Sequence, residues 1–504
     1  MKRFATLALS AVMCSCLFVS SCSAKPSLPE ENVIEDKYDN YYEIFVYSYS
    51  DSNGDGIGDL NGVTQKLDYI RDMGYTGIWL MPIHPSSSYH KYDVSDYYSV
   101  DKSYGTMEDY DALVEKAHSL GIKVIIDLVV NHTSSSNLWF LKAVSAAKKG
   151  DTEAPYYDFY NFSTKPQSGY SMYGTSGVYY ECRFDKGMPD LNLDSENVRR
   201  EISDIIGYWT SHGTDGFRLD ACTSYYTENM PKSIEFCGWL QNEAKKYNSD
   251  AYLVGEVWSS ENIIANYYTS GMDSFFGFQA SQADGFINGT FLSSSPADSF
   301  WRGIERTNAM VGQYISAPFL CNHDTGRIAG IAGRKEEKIK FEYGLLSTLT
   351  GSTFTYYGDE IGMIGSGVDP NKRIAMLWDN SKVGLTMSPP GCTVNEYIFD
   401  GVKEQQADES SILNYYKTCN RVRNAYPSIM RGTSERIGYE DSQVLIMKKS
   451  YRDETVTIVI NFSEEEKNVA FSEGKLQASI CVSSNVTQKG KSLVMPGYSI
   501  AILK

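Results

Sequence analysis

The chain has 504 residues, 42% of them hydrophobic, and carries a net charge of −17. That length accommodates two or three domains around a large buried core. The acidic balance excludes nucleic-acid binding, which needs clusters of Lys and Arg against phosphate, and reads most simply as a solvated surface.

Residues 1–22 begin with Lys2 and Arg3 and continue as a short apolar run ending "VSSC". The run is too short for a lasting membrane span and reads as an export signal. An aliphatic residue and two small ones before Cys22 resemble a lipoprotein signal, in which Cys22 is lipidated and becomes the mature N-terminus. An ordinary signal cleaved near Ala24 is the alternative. Residues 23–40 are polar and contain Pro, so they read as a tether. The expectation is an exported, cell-surface protein, in contact with a membrane only through an anchor at Cys22.

Eight short apolar runs follow, starting with "YYEIFVYSY" (41–49), "TGIWLMP" (76–82) and "KVIIDLVVNH" (123–132) and continuing with "TDGFRLD" (214–220), "AYLVGEVW" (251–258), "DSFFGFQ" (273–279), "APFLCNHD" (317–324) and "STFTYYGDE" (352–360). Stretches with helical spacing, such as "DYDALVEKAHSLG", separate them. Near-continuous apolar strands alternating with helices predict a parallel sheet, and eight such units predict a (β/α)₈ TIM barrel. The gap between the third and fourth runs is too long for one connection. Residues 133–190, rich in Tyr, Ser and Gly, are therefore expected to form an inserted small domain. The barrel is expected over 41–132 and 191–410. Beyond residue 410 a helix and five alternating runs predict a C-terminal antiparallel β-sandwich, 411–504.

The stretch "YSDSNGDGIGDLNG" (49–62) looks like an EF-hand loop, with Asp51, Asn53 and Asp55 at the first, third and fifth positions and Gly56 at the turn. Position twelve is Gly62 rather than Glu, and a strand precedes the loop rather than a helix. A calcium-dependent docking module is thereby excluded. Asp51, Asn53, Asp55 and Asp59, with the Ile57 carbonyl, are still expected to form an oxygen cage for a structural Ca²⁺; an acidic loop without an ion is the alternative. After residue 22 the cysteines are Cys182, Cys222, Cys237, Cys321, Cys392, Cys419 and Cys481, an odd number at scattered spacings that matches neither a disulfide framework nor a zinc site.

In such a barrel, polar residues at strand C-termini belong to the active face. The third run supplies Asp127, Asn131 and His132, the fourth Arg218 and Asp220, the fifth Glu256, and the seventh His323 and Asp324. Converging carboxylates are costly unless function or a cation requires them. "DLVVNH", "GFRLDA", "GEVW" and "FLCNHD" resemble, in order, the four signature regions of the α-amylase superfamily, glycoside hydrolase family 13. "MPDLN" (188–192) resembles an additional region of that family. The resemblance implies Asp220 as nucleophile, Glu256 as general acid/base and Asp324 as transition-state stabiliser. It also implies His132 and His323 as sugar ligands, Tyr92 as an aromatic platform and Asp93 as a sugar contact. Arg218, two residues before Asp220, is expected to keep it ionised.

The Lys-His pair that follows region two in many family members is replaced here by Thr223, Ser224 and Tyr225. A retaining α-amylase acting on starch or maltodextrin is the first reading. An α-glucosidase, oligo-1,6-glucosidase, neopullulanase or transglycosylase on the same machinery is the alternative, and a non-catalytic glucan-binding lipoprotein is a reading of another class. A monomer is expected.

Overall fold

A computed structural model describes residues 29–504; Cys22 and the expected signal lie outside the described residues. Three strands come first, β1 (Asn40–Ile44), β2 (Gly77–Leu80) and β3 (Lys123–Leu128). Three short ones follow in an inserted segment, β4 (Phe162–Ser163), β5 (Tyr170–Met172) and β6 (Tyr179–Glu181). Then come β7 (Gly216–Leu219), β8 (Tyr252–Gly255), β9 (Ser274–Gly277), β10 (Ile315–Pro318) and β11 (Thr353–Tyr356).

The long strands form one eight-stranded sheet in the order β10-β9-β8-β7-β3-β2-β1-β11, with every adjacent pair parallel. A parallel bridge between Phe319 and Phe354 joins its two ends. The sheet is therefore a closed TIM-type barrel, as expected. Side chains fill its interior. Tyr41 stacks on Phe354 at 4.8 Å and on Tyr252 at 5.5 Å. Gly77 leaves room for Tyr41, because a Cβ there would lie 2.4 Å from the ring. One level higher Trp79 packs against Phe276 at 5.5 Å and Phe354 at 6.2 Å. Burying each such ring contributes roughly 1.5–3 kcal/mol.

The helices start where the sequence offers caps. Asp59 caps Leu60–Asp72, Thr106 caps Met107–Ser119 with a reciprocal bond to Asp109, and Ser195 caps Glu196–Ser211. The inserted segment carries a helix, Leu138–Lys149, and the small sheet β4-β6-β5. It returns to the barrel through the 188–192 stretch. His132 and Asp190 form an antiparallel bridge, Thr133 N donates to Pro189 O (3.0 Å), and Leu191 N donates to Asn131 O (2.9 Å).

The C-terminal strands are β12 (Thr433–Ile437), β13 (Val444–Tyr451), β14 (Glu454–Asn461), β15 (Lys467–Ala470), β16 (Leu476–Cys481), β17 (Thr487–Lys489), β18 (Ser492–Met495) and β19 (Ser499–Leu503). They make two antiparallel sheets, β12-β13-β14-β19-β16 and β15-β18-β17. Val459, Val469, Leu493, Met495 and Ala501 are buried in one apolar cluster of these sheets. Among the described residues all seven cysteines are free, and no helix is long and apolar enough to cross a membrane.

Three features differ from the sequence expectation. First, β10 stops at Pro318, which brings no N–H to the ladder, so His323 and Asp324 stand on a loop rather than on the strand. Second, the helix Ile412–Ala425 packs on the barrel as well as on β16 of the sandwich. Its Tyr416 stacks on Tyr343 at 3.5 Å, and Arg423 donates to Ser347 O and Gly351 O. Third, residues 29–39 do not hang as a free tether. Lys37 reaches the Asp273 carboxylate (2.9 Å) and Ala251 O (2.7 Å), Asp36 pairs with Arg431 (2.7 Å), and Asn32 N donates to Asn424 O (3.0 Å). Charges that read as solvated in the sequence are partnered at the starts of the barrel strands.

Candidate active site

The site is built at the C-terminal ends of the barrel strands. Asp127 on β3 lies opposite Arg218 on β7 in the parallel register. Arg218 is fully buried and binds three carboxylates at once: Asp127 Oδ1 (2.5 Å) and Asp220 Oδ1 (2.6 Å) through one terminal nitrogen, and Glu256 Oε2 (2.7 Å) through the other. Trp79 below holds the second oxygen of Asp127 through Nε1 (2.8 Å). The catalytic candidates Asp220 and Glu256 directly follow β7 and β8. The backbone knits them together. Glu256 N donates to Leu219 O (2.9 Å), Cys222 N to Glu256 O (3.0 Å), and Ala221 N to Glu256 Oε2 (3.1 Å). Ala221 adopts the left-handed conformation, φ 46° and ψ 46°, which costs a non-glycine residue of order 1 kcal/mol or more. The strained turn swings the chain away just after Asp220.

His323 lies between two carboxylates. Its Nδ1 is 2.5 Å from Glu43 Oε1, and its Nε2 is 2.9 Å from Asp324 Oδ2 and 2.8 Å from the Tyr92 hydroxyl. Arg373 reaches Asp324 Oδ1 (3.3 Å) and also pairs with Asp369 (2.8 Å).

The electrostatics differ from one carboxyl to the next. Burial pushes the Glu256 carboxyl up to about 7; Arg218 opposes the rise, and Asp220 and Asp324 add to it. Burial likewise raises Asp127 to about 6 against the pull of Arg218. Asp324 goes the other way. Burial would raise it, but His323, Arg373 and Arg218 together hold it well below the ordinary range. Burial would neutralise His323, yet Asp324 and Glu43 raise it to about 10, so it is an imidazolium at neutral pH. Burial lowers His132, which is therefore neutral, and its Nε2 is buried without a hydrogen-bond partner.

A cleft of about 430 Å³ opens over these groups, lined by Tyr92, His132, Asp220, Glu256 and Asp324 together with Phe184, Trp258, Asp369 and Arg373. Of the sugar-contact candidates, His323 is buried behind the lining with both ring nitrogens taken by Glu43, Asp324 and Tyr92, whereas Tyr92 and His132 line the cleft. Asp93 does not. Its carboxylate is consumed by the hydroxyls of Ser86 (2.6 Å), Ser87 (2.6 Å) and Ser88, and it shapes the loop beside Tyr92 instead. Sequence reasoning missed Glu43, Asp369 and Arg373. The five-residue spacing "DPNKR" after β11 offered the only local signal for the last two.

The oxygen-rich loop after β1 has donor chemistry suited to a hard cation, with no sulfur or imidazole. Its carboxylates are turned inward on the backbone, however. Asp51 accepts from the amides of Asn53, Gly54 and Gly56 (3.0, 2.7 and 2.8 Å), and Asp59 accepts from Ser52 N (2.9 Å), Ser52 Oγ (2.7 Å) and Gly62 N (2.7 Å). The side chains expected around a Ca²⁺ thus hold the loop's own backbone, and Asp51 Oδ2 and Asp59 Oδ2 each accept a single bond. Among the described residues no group of three or more His, Cys, Asp or Glu is placed to hold a metal ion. Position twelve cannot carry a ligating side chain, since a Cβ on Gly62 would lie 1.9 Å from Ser50 O.

A closed (β/α)₈ barrel bearing two carboxyls on one buried guanidinium, one of them with a raised pKa, defines a glycoside hydrolase. The comparisons agree. Residues 43–432 match the family described as alpha amylase, catalytic domain, and the chain belongs to it. Alpha-amylase 3 of Dictyoglomus thermophilum is 36% identical over 474 residues, 92% of each chain. Oligo-1,6-glucosidase of Heyndrickxia coagulans is 29% identical, covering 92% of this chain and 97% of its own. Among solved structures, Eubacterium rectale Amy13B superposes with a TM-score of 0.91 at 40% identity, covering 94% of this chain and 97% of that one.

Proposed function

We propose that the protein cleaves α-1,4-glucosidic bonds in starch or maltodextrin with retention of configuration. The observation that carries the reading is the single buried guanidinium of Arg218 holding Asp220 and Glu256 side by side. The protonated Glu256 gives its proton to the departing glycosidic oxygen while the Asp220 carboxylate bonds to the anomeric carbon. Glu256, now ionised, then takes a proton from water, which attacks that carbon and releases Asp220. Asp324, kept anionic by His323 and Arg373, stabilises the positive charge on the sugar ring. The orphaned Nε2 of His132 is free for a sugar hydroxyl. The relatives named as oligo-1,6-glucosidases keep the α-1,6 bond as a second reading on the same groups.

Proton NMR of the first-formed product from maltopentaose tests the mechanism. The α-anomer is expected, since carboxyls sharing one guanidinium sit near the roughly 5–5.5 Å separation of retaining enzymes. An initial β-anomer would refute it. Chromatography of products from amylose, pullulan and isomaltose assigns the bond.

The loop 51–59 is the place for a structural Ca²⁺. Supporting it are its oxygen donors and the spare acceptor capacity of Asp51 Oδ2 and Asp59 Oδ2, each accepting one bond, from Gly56 and Ser52. A cation bound only to the folded state raises stability by mass action, so EDTA should lower the melting temperature while the catalytic groups stay in place. An unchanged melting curve would show that the amide bonds alone hold the loop.

Cys22, after "VSS", is the proposed acylation site on an exported lipoprotein. Cys22→Ser should then move the protein out of the membrane fraction or leave it unprocessed. A soluble, unmutated protein starting beyond residue 22 would assign an ordinary signal.

A further inference from the structure

Glu43 is the one charged residue on β1, and it is buried inside the barrel. A buried carboxylate is costly unless it is paired. Its partner is the equally buried His323, whose Nδ1 lies 2.5 Å from Glu43 Oε1. The opposite ring nitrogen, Nε2, meets Asp324 Oδ2 at 2.9 Å and the Tyr92 hydroxyl at 2.8 Å. Two rings fix the plane of the imidazole. Tyr92 stacks on it at 5.6 Å with planes 20° apart, and Trp79 meets it edge-on at 5.6 Å.

This arrangement counts protons. A neutral imidazole has one N–H and one lone pair, whereas the cation donates from both nitrogens. With a carboxylate oxygen at each nitrogen, a neutral ring would turn a lone pair on an anion. The doubly protonated ring alone satisfies both. Burial opposes its charge, and Asp324 and Glu43 overcome that opposition. The other ionisable groups near the pair come from several elements. Asp127 on β3 feels the imidazolium, Tyr356 on β11 feels Glu43, and Arg373 and Arg218 act on Asp324.

Tyr92 and Asp324 line the cleft, and Glu43 is not among its lining residues. Glu43 therefore acts through the ring. We infer that Glu43 is a positioning residue for the reaction: it fixes the second proton on His323, and through that ring it holds Asp324 ionised and in place. The inference rests on the role proposed above for Asp324. It also separates charge from shape. Gln at position 43 could still accept from a charged ring, or turn its amide to donate to a neutral one, so the ring would be free to lose a proton that Glu43 retains.

The test reads the ring directly. The chain has six histidines, so labelling their Cε1 atoms with ¹³C gives six NMR signals, and the one missing from His323→Gln is that of His323. In the unmutated protein it should keep its imidazolium position up to about pH 8. In Glu43→Gln its midpoint should fall by at least about one pH unit, the scale for losing one adjacent opposite charge. Glu43→Asp, which keeps the charge, should move it less.

Activity supplies the second readout. α-Maltosyl fluoride needs no proton from Glu256, so the alkaline limb of its kcat/KM reports the ring and Asp324. In Glu43→Gln that limb should move down with the His323 midpoint. A merely structural role would lower the rate equally at every pH. A ring already neutral at pH 7 in the unmutated protein, or a midpoint that Glu43→Gln leaves in place, would overturn the inference. Should Glu43→Gln lack a cooperative melt, Glu43→Asp and the unmutated signal decide: an imidazolium at about pH 8 in both supports the role, and a neutral ring in either overturns it. Failure of the unmutated protein to turn over α-maltosyl fluoride would instead overturn the retaining reading, while the NMR signals still report what Glu43 does to His323.

Discussion

Asp220→Asn should leave a folded protein with turnover of maltooligosaccharides reduced by about 10⁴-fold or more, the scale for removing a covalent nucleophile. The substitution is isosteric, and the buried Arg218 keeps Asp127 and Glu256 as partners, so its charge is not stranded. An amide oxygen cannot form the glycosyl ester, so the first step has no nucleophile. The measurement is a rate on maltopentaose alongside a thermal melt. A cooperative melt with near-normal hydrolysis would remove Asp220 from the mechanism.

Glu256→Gln should lower kcat/KM on maltooligosaccharides by about 10²–10⁴-fold, the range for a positioned general acid. The loss should be much smaller for the first step on α-maltosyl fluoride, because fluoride leaves without a proton. The pH profile carries the second half of the prediction. Glu256 acts in its protonated form and its carboxyl is raised to about 7. The active fraction therefore shrinks as pH rises through that value, giving the unmutated protein an alkaline limb near pH 7 in kcat/KM. Gln has no proton to lose there, so the variant should lack that limb. An alkaline limb that survives in Glu256→Gln belongs to another group.

The barrel was legible because its strands are buried on both faces, which writes near-continuous apolar runs into the sequence, and because a strand that ends in a carboxylate shows it locally. Asp127, Asp220 and Glu256 all follow that rule. Asp324 was found through its motif although β10 stops six residues earlier. What was not legible depends on pairing across the fold. Glu43 looks like a polar interruption of "YYEIF", and only the arrival of His323 from 280 residues away gives it a partner. Asp93, next to Tyr92, looked as exposed to substrate as its neighbour, yet three serine hydroxyls from its own loop claim it. Asp36 and Lys37 read as a solvated linker because their partners, Arg431 and Asp273, are hundreds of residues distant. Spacing encodes period and local caps; it does not encode which distant charge will be waiting.

The clamp formed by residues 29–39 also sets an orientation. Lys37 and Asp36 are fastened where the barrel strands begin, and the cleft opens where they end. The chain thus enters the fold through the base of the barrel. Between Cys22 and Pro29 lie seven peptide steps, about 25 Å at full extension. With Cys22 acylated, the base would be held within that distance of the bilayer and the cleft would face outward, so a starch granule too large to pass beneath the protein could still meet the catalytic groups head-on.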